Sequence, residues 1–179
     1  MGRGKSGLSK SAGGGGGKKS QPQNGTGNLS SSTLKAIDDY IEGTGNSFTT
    51  SQVSEIKANM TETSNPLYRI EDMSWMGENL DNGDEFTFDK PLKGFANDWS
   101  ALNTIVSEGD DAGLYEDTTI ALFQTVNKTS HLDISNISRN HSDEKESLVG
   151  GKFRVIDQQD GPKIKGYDTW IFYIEQIEK

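Results

Sequence analysis

Cysteine is absent from the 179 residues. Its absence excludes a disulfide framework, a thiolate nucleophile and a cysteine-based zinc site. Histidine is nearly as scarce. His131 and His141 are the two in the chain, and neither has a third ligand at metal spacing, so both are read as loop residues and no metal is expected. No apolar run reaches the length of a membrane span, and the N-terminus carries charge without the apolar segment of a secretory signal; the chain is expected to be soluble, with no membrane partner. Basic residues are in deficit, 18 Lys and Arg against 27 Asp and Glu, for a net charge of −9. Displacing counterions from a phosphate backbone needs the opposite balance, so nucleic acid is not an expected partner and a cationic protein surface suits the chain better.

What is present is unevenly distributed. Apolar residues make up 31% of the chain, but the three Trp, seven Phe and five Tyr lie after residue 39. Residues 1–31 are Gly, Ser, Lys, Asn and Gln with almost nothing apolar, and read as a flexible tail. Gly4-Lys5-Ser6 within it lacks the strand and upstream glycine of a phosphate loop. Residues 32–179 are long enough for one domain with one real core.

From residue 32 the periodicity becomes structural. Leu34, Ile37, Tyr40 and Ile41 fall at helical spacing, and Gly43 and Gly45 end the run; Val53, Ile56 and Met60 predict a second helix over 50–60, capped by Thr50 or Ser51. Both stripes read as core. Asn65-Pro66 breaks the chain before a short strand, Leu67-Tyr68-Arg69-Ile70. Phe86-Thr87-Phe88 alternates as a strand, Asn97 or Asp98 caps a third helix bearing Trp99, Leu102, Ile105 and Val106, and the apolar run 120–126 predicts a strand buried on both faces. A polar stretch over 127–141 follows, then strands at 152–156 and 169–177 around a turn at 158–162. Helices first and strands second is α+β order.

Two places carry chemistry. Arg69 sits in an otherwise apolar strand, where a guanidinium needs an anion: either an internal acid such as Glu71 or Asp72, or a bound phosphate. Glu144-Lys145-Glu146 puts carboxylates at i and i+2 directly before an apolar strand; in extended chain these share a side, where they repel and pack nothing. The plain reading is a solvated acidic turn. The alternative is a pair that serves a cationic or oxocarbenium-like centre.

The ordered set resembles the arginine-specific mono-ADP-ribosyltransferases of the bacterial-toxin and phage type, whose hallmark is Arg, then Ser-x-Ser, then Glu-x-Glu. Two helices lead to the Leu67-Tyr68-Arg69 strand, a Gly83-Asp84-Glu85-Phe86 segment precedes the middle motif, and Glu144-Lys145-Glu146 leads into Lys152-Phe153-Arg154-Val155. The resemblance implies an α+β, split β-sandwich core with N-terminal helices, NAD as substrate, and a protein with an exposed arginine as acceptor. Carried over by position, Arg69 holds the NAD phosphates and keeps strand ends apart, Glu146 is the catalytic glutamate, and Glu144 engages the incoming guanidinium. The middle motif departs from the family. Where Ser-x-Ser is expected the chain reads Gly94-Phe95-Ala96, with Ser100 the counterpart under a shifted alignment. Gly94 and Phe95 are assigned to the NAD side, Phe95 as an aromatic facing the nicotinamide ring, with core packing as its alternative. The family's first serine hydrogen-bonds the catalytic glutamate; losing such a bond costs about 1.5–3 kcal/mol, a slowing of about ten- to a hundredfold unless water or Asn97 substitutes. Two rival functions stay open: an inactive module of the same fold kept as a binding surface, for example in a virus particle, and an NAD glycohydrolase using water as acceptor.

Overall fold

The computed structural model describes residues 26–45, 47–73, 79–115, 119–137 and 145–179. Its first helix, α1 (Ser31–Ile41), starts where the Ser30 hydroxyl accepts the Thr33 N–H, and buries Thr33, Ile37 and Ile41 at helical spacing. α2 (Thr50–Ala58) opens with a capping box, Thr49 with Gln52, one residue before the predicted cap. Glu55 of α2 reaches back to accept from the Ser30 N–H and the Thr33 hydroxyl, tying the two helices together. Those bonds, Thr33's foremost, hold its carboxyl below the ordinary carboxylate range.

Strands β1 (Thr61–Thr63), β2 (Tyr68–Asp72), β3 (Glu85–Phe86) and β4 (Leu92–Ala96) precede α3 (Leu102–Asp111); β5 (Thr119–Val126), β6 (Thr129–Asp133), β7 (Glu146–Gly150), β8 (Lys152–Asp160) and β9 (Asp168–Glu178) follow it. Several depart from the sequence pattern. β6 lies inside the stretch expected to be polar loop, and β8 runs past residue 156, which moves the turn beyond Asp160. The Phe86-Thr87-Phe88 strand shortens to Glu85–Phe86. Trp99 belongs to a 3-10 turn ahead of α3, not to its buried face, and is 42% exposed.

The sheet order is β1-β6-β7-β4-β2-β5-β9-β8-β3, with β5 and β9 parallel. One joint is weak. β2 and β4 share the single registered pair Tyr68↔Ala96, so the sheet splits there into two halves. Between the halves lies an aromatic core in which Phe95 and Val149 of one side meet Phe123, Phe153 and Phe172 of the other. Phe88 sits edge-on to Phe95, Phe123 and Phe153. On the outer faces, α1 and α2 cover Leu92, Leu132 and Leu148, whereas Leu102 and Val106 of α3 cover Ile70, Ile120, Leu122 and Ile171. β5 is buried on both faces, as its continuous apolarity predicted. The result is an α+β split β-sandwich with helices on the outside. Among the described residues no helix is long and apolar enough to cross a membrane.

Candidate active site

An arginine stands at the split between β2 and β4 and bonds across it. Strand alternation sends Ile70 outward under α3 and Arg69 the other way, its guanidinium 5.9 Å from the Phe88 ring centre. Arg69 Nη1 donates to the Gly94 carbonyl at 2.9 Å, and Nε and Nη2 both meet Glu71 Oε1 at 2.7 Å. A second cation joins them: Lys93 Nζ lies 3.7 Å from Glu71 Oε1 and 2.7 Å from Asp89. The internal-acid reading of Arg69 is therefore realised, with Glu71 as the acid. The same guanidinium also faces a cavity.

That cavity, of about 410 Å³, takes its walls from both halves of the sheet and from α1 and α3: Arg69, Glu71, Lys93, Gly94 and Glu146 together with Tyr40, Ile105, Leu114 and Tyr115. Glu146, the first residue of β7, aims its carboxylate over Gly94, and the Tyr40 hydroxyl donates to Oε1 at 2.7 Å. A β-carbon added at Gly94 would overlap Glu146 Oε1 and the Tyr40 hydroxyl, so any larger residue at this crossing of α1, β4 and β7 displaces the ends of both side chains. Burial, the largest influence, raises Tyr115 to a pKa of about 12, with Arg69 opposing and Glu71 reinforcing. Its ring is an apolar wall at neutral pH.

The turn before Glu146 is not extended. Lys145 has φ 45°, its carbonyl accepts the Asn97 N–H at 2.7 Å, and its ammonium pairs with Asp98 at 3.0 Å. Left-handed backbone at Lys145 turns the chain immediately before Glu146. The same-side geometry expected for the two glutamates involves Glu144, which, like His141, lies outside the described residues.

Other expectations divide. Gly94 lines the cavity, but Phe95 does not: the next residue along a strand faces the opposite way, and Phe95 is 0% exposed in the aromatic core. Ser100 donates to Asp98 at 2.6 Å within the 3-10 turn. Asn97 directs both ends of its amide elsewhere, accepting from the Ser147 hydroxyl and donating to Ser135 at 3.1 Å. His131 is a strand residue of β6, not a loop histidine; its Nδ1 lies 2.8 Å from Ser147 Oγ, and burial lowers its pKa against the pull of Asp133. Tyr40 was missed altogether. Its place in the apolar stripe of α1 marked it as core, and the one available signal was a hydroxyl-bearing ring paired with a glycine where the middle motif should carry a serine.

No protein-family model and no curated protein matches the sequence. Solved structures do match in shape. The ADP-ribosyltransferase Vis, crystallised with its M6 inhibitor, is similar with a TM-score of 0.54 over 83% of this chain and 73% of that one, at 14% identity. Plx2a, an ADP-ribosyltransferase toxin from Paenibacillus larvae, reaches 0.50 over 84% and 88%, at 10% identity. BECa, an ADP-ribosylating toxin of a C. perfringens binary enterotoxin, reaches 0.53 over 84% of this chain and 44% of its own length, at 12% identity. The fold is an ADP-ribosyltransferase fold. In this ADP-ribosyltransferase fold the cavity sits where the sandwich splits, between the ends of β2, β4 and β7.

Proposed function

We propose that the chain binds NAD in the cavity at the split and transfers its ADP-ribose to an arginine of a protein substrate, releasing nicotinamide. One observation carries the proposal: Glu146, Gly94 and Arg69, assigned from sequence to catalysis and NAD binding, wall a single cavity although 77 residues separate Arg69 from Glu146. The fold supports it, and BECa, which shares that fold, was solved with NADH.

Each residue has a task that its chemistry suits. Arg69 presents its guanidinium to a pyrophosphate with Glu71 fixing the fork, and Lys90 and Lys93 line the same cavity together with the carboxylates of Glu71 and Asp72. Glu146 hydrogen-bonds a ribose hydroxyl and stabilises the oxocarbenium-like centre as the bond from C1′ to nicotinamide breaks; the bonding pair leaves with nicotinamide, which departs neutral. A guanidinium nitrogen then bonds to C1′ and gives up a proton to Glu144. The net charge of −9 favours approach of a cationic acceptor.

The test is incubation with labelled NAD and a lysate, comparing the chain with Glu146→Gln. Nicotinamide release and arginine-linked label from the parent alone are the expected result. Free ADP-ribose without labelled protein would assign the site to NAD hydrolysis, and silence in both channels would leave a binding module.

A further inference from the structure

The Ser-x-Ser departure looks like a defect in sequence and has a counterpart in space. We propose that Tyr40 is the positioning residue for Glu146, supplying from α1 the hydroxyl that β4 lacks, and that glycine at 94 leaves room for the carboxylate and that hydroxyl to meet. The inference rests on the reading of Glu146 as the catalytic glutamate.

Glu146 needs such a partner because of where it stands. It follows the left-handed Lys145 at the first position of β7, at the mouth of a cavity, and a glutamate has three side-chain torsions to be fixed before its carboxylate is placed. Tyr40 can restrain it because its own ring is held: it packs on the α1–α2 core, with its centroid 5.8 Å from that of Phe48. The hydroxyl meets Oε1 at 2.7 Å, a charge-assisted bond on one carboxylate oxygen. The third member is Gly94. Its absent β-carbon would overlap the Tyr40 hydroxyl and, more deeply, Glu146 Oε1, so a serine there competes with the tyrosine for a place beside a carboxylate that must itself shift.

The experiment compares the full chain with Tyr40→Phe, Gly94→Ser, Tyr40→Phe/Gly94→Ser and Glu146→Gln, measuring kcat and KM for nicotinamide release and the melting temperature of each. Tyr40→Phe keeps the ring and its packing. It is expected to melt close to the parent, to leave KM for NAD unchanged, and to lower kcat by roughly ten- to a hundredfold, the loss of one hydrogen bond to a charged group. Gly94→Ser alone collides with the tyrosine and also loses kcat. In the double variant the tyrosine oxygen is gone and the end of the Glu146 side chain moves off the new β-carbon to meet the serine hydroxyl, which recovers kcat to roughly tenfold or more above either single variant. A Tyr40→Phe chain with parental kcat, a loss seen in KM alone, or a double variant no better than the singles would overturn the proposal. Glu146→Gln separates the two failures: parental turnover there rejects the site reading, and the Tyr40 proposal with it. The contact has its own readout, the ¹³C carboxyl resonance of Glu146, expected to move in Tyr40→Phe and to return towards its parental position in the double variant. A resonance that stays in place in Tyr40→Phe rejects the contact whatever the turnover.

Discussion

The carboxylate of Asp98 holds the ammonium of Lys145 at 3.0 Å, so the residue that caps the turn into α3 also grips the residue immediately before Glu146. Asp98 accepts in addition from the Ala101 N–H at 3.1 Å and the Ser100 hydroxyl at 2.6 Å. The Ser100 bond, then Lys145, lowers its pKa to about 2. This contribution to stability is therefore present above the ordinary value of 3.8 and lost as pH falls through about 2.

Two substitutions separate the roles of Asp98. Asp98→Ala loses cap and ion pair, and is expected to lower stability by about 1 kcal/mol, the usual value of an N-cap. Asp98→Asn keeps a competent cap acceptor and loses only an exposed pair, for a smaller loss of under about 1 kcal/mol. Chemical denaturation at neutral pH checks the order.

Arg69→Lys replaces the fork that bridges Gly94 and Glu71 with a single ammonium. Under the proposed role, the lost hydrogen bond to phosphate raises KM for NAD by about ten- to a hundredfold. Steady-state kinetics of nicotinamide release measure it, and an unchanged KM would remove Arg69 from the NAD site.

Phe95 tests the core assignment. Phe95→Ala should lower stability by about 3–5 kcal/mol through the cavity it opens between the half-sheets. Phe95→Leu retains most of the packing, and KM for NAD should stay at the parental value because no part of the ring reaches the cavity. A KM that rose with stability intact would return Phe95 to the NAD site.

His131 gives the fold a pH dependence in a range where few other groups titrate. The Ser147 hydroxyl is directed at Asn97, which assigns the proton to His131 Nδ1 as donor to Ser147, and burial disfavours a second proton. The folded-state pKa lies below the ordinary 6.5, so the unfolded chain binds the proton first. Stability is full above 6.5 and falls as pH drops below it, by at most about 1.4 kcal/mol per pH unit for one proton. Denaturant midpoints between pH 5.5 and 8 should show this decline in the parent, and His131→Gln should flatten it.

Local pattern carried much of the architecture. The 3.6-residue stripe of α1 and the continuous apolarity of β5 each announce their element, because burial of one face or of both leaves its period in the chain. β6 left no such mark. Thr129, Ser130, His131 and Asp133 are polar, and the segment is a strand because it pairs with β1 and β7, where His131 finds Ser147. A strand made by its partners is invisible to a local window.

The sequence by itself determined which groups are available: no thiol, Arg69 in a short apolar strand, a glutamate at a strand start, a glycine where a serine is expected. It also determined the elements with a clear period, α1 and β5 among them, since local periodicity and turn chemistry act within a few residues. Tertiary structure alone decided which groups meet. Tyr40 reaches Glu146 across 106 positions, and Phe95 turns from the cavity while Gly94 faces it. Sheet order and helix packing set both outcomes, and these rest on contacts between residues far apart in the chain, whose pairing no single segment encodes.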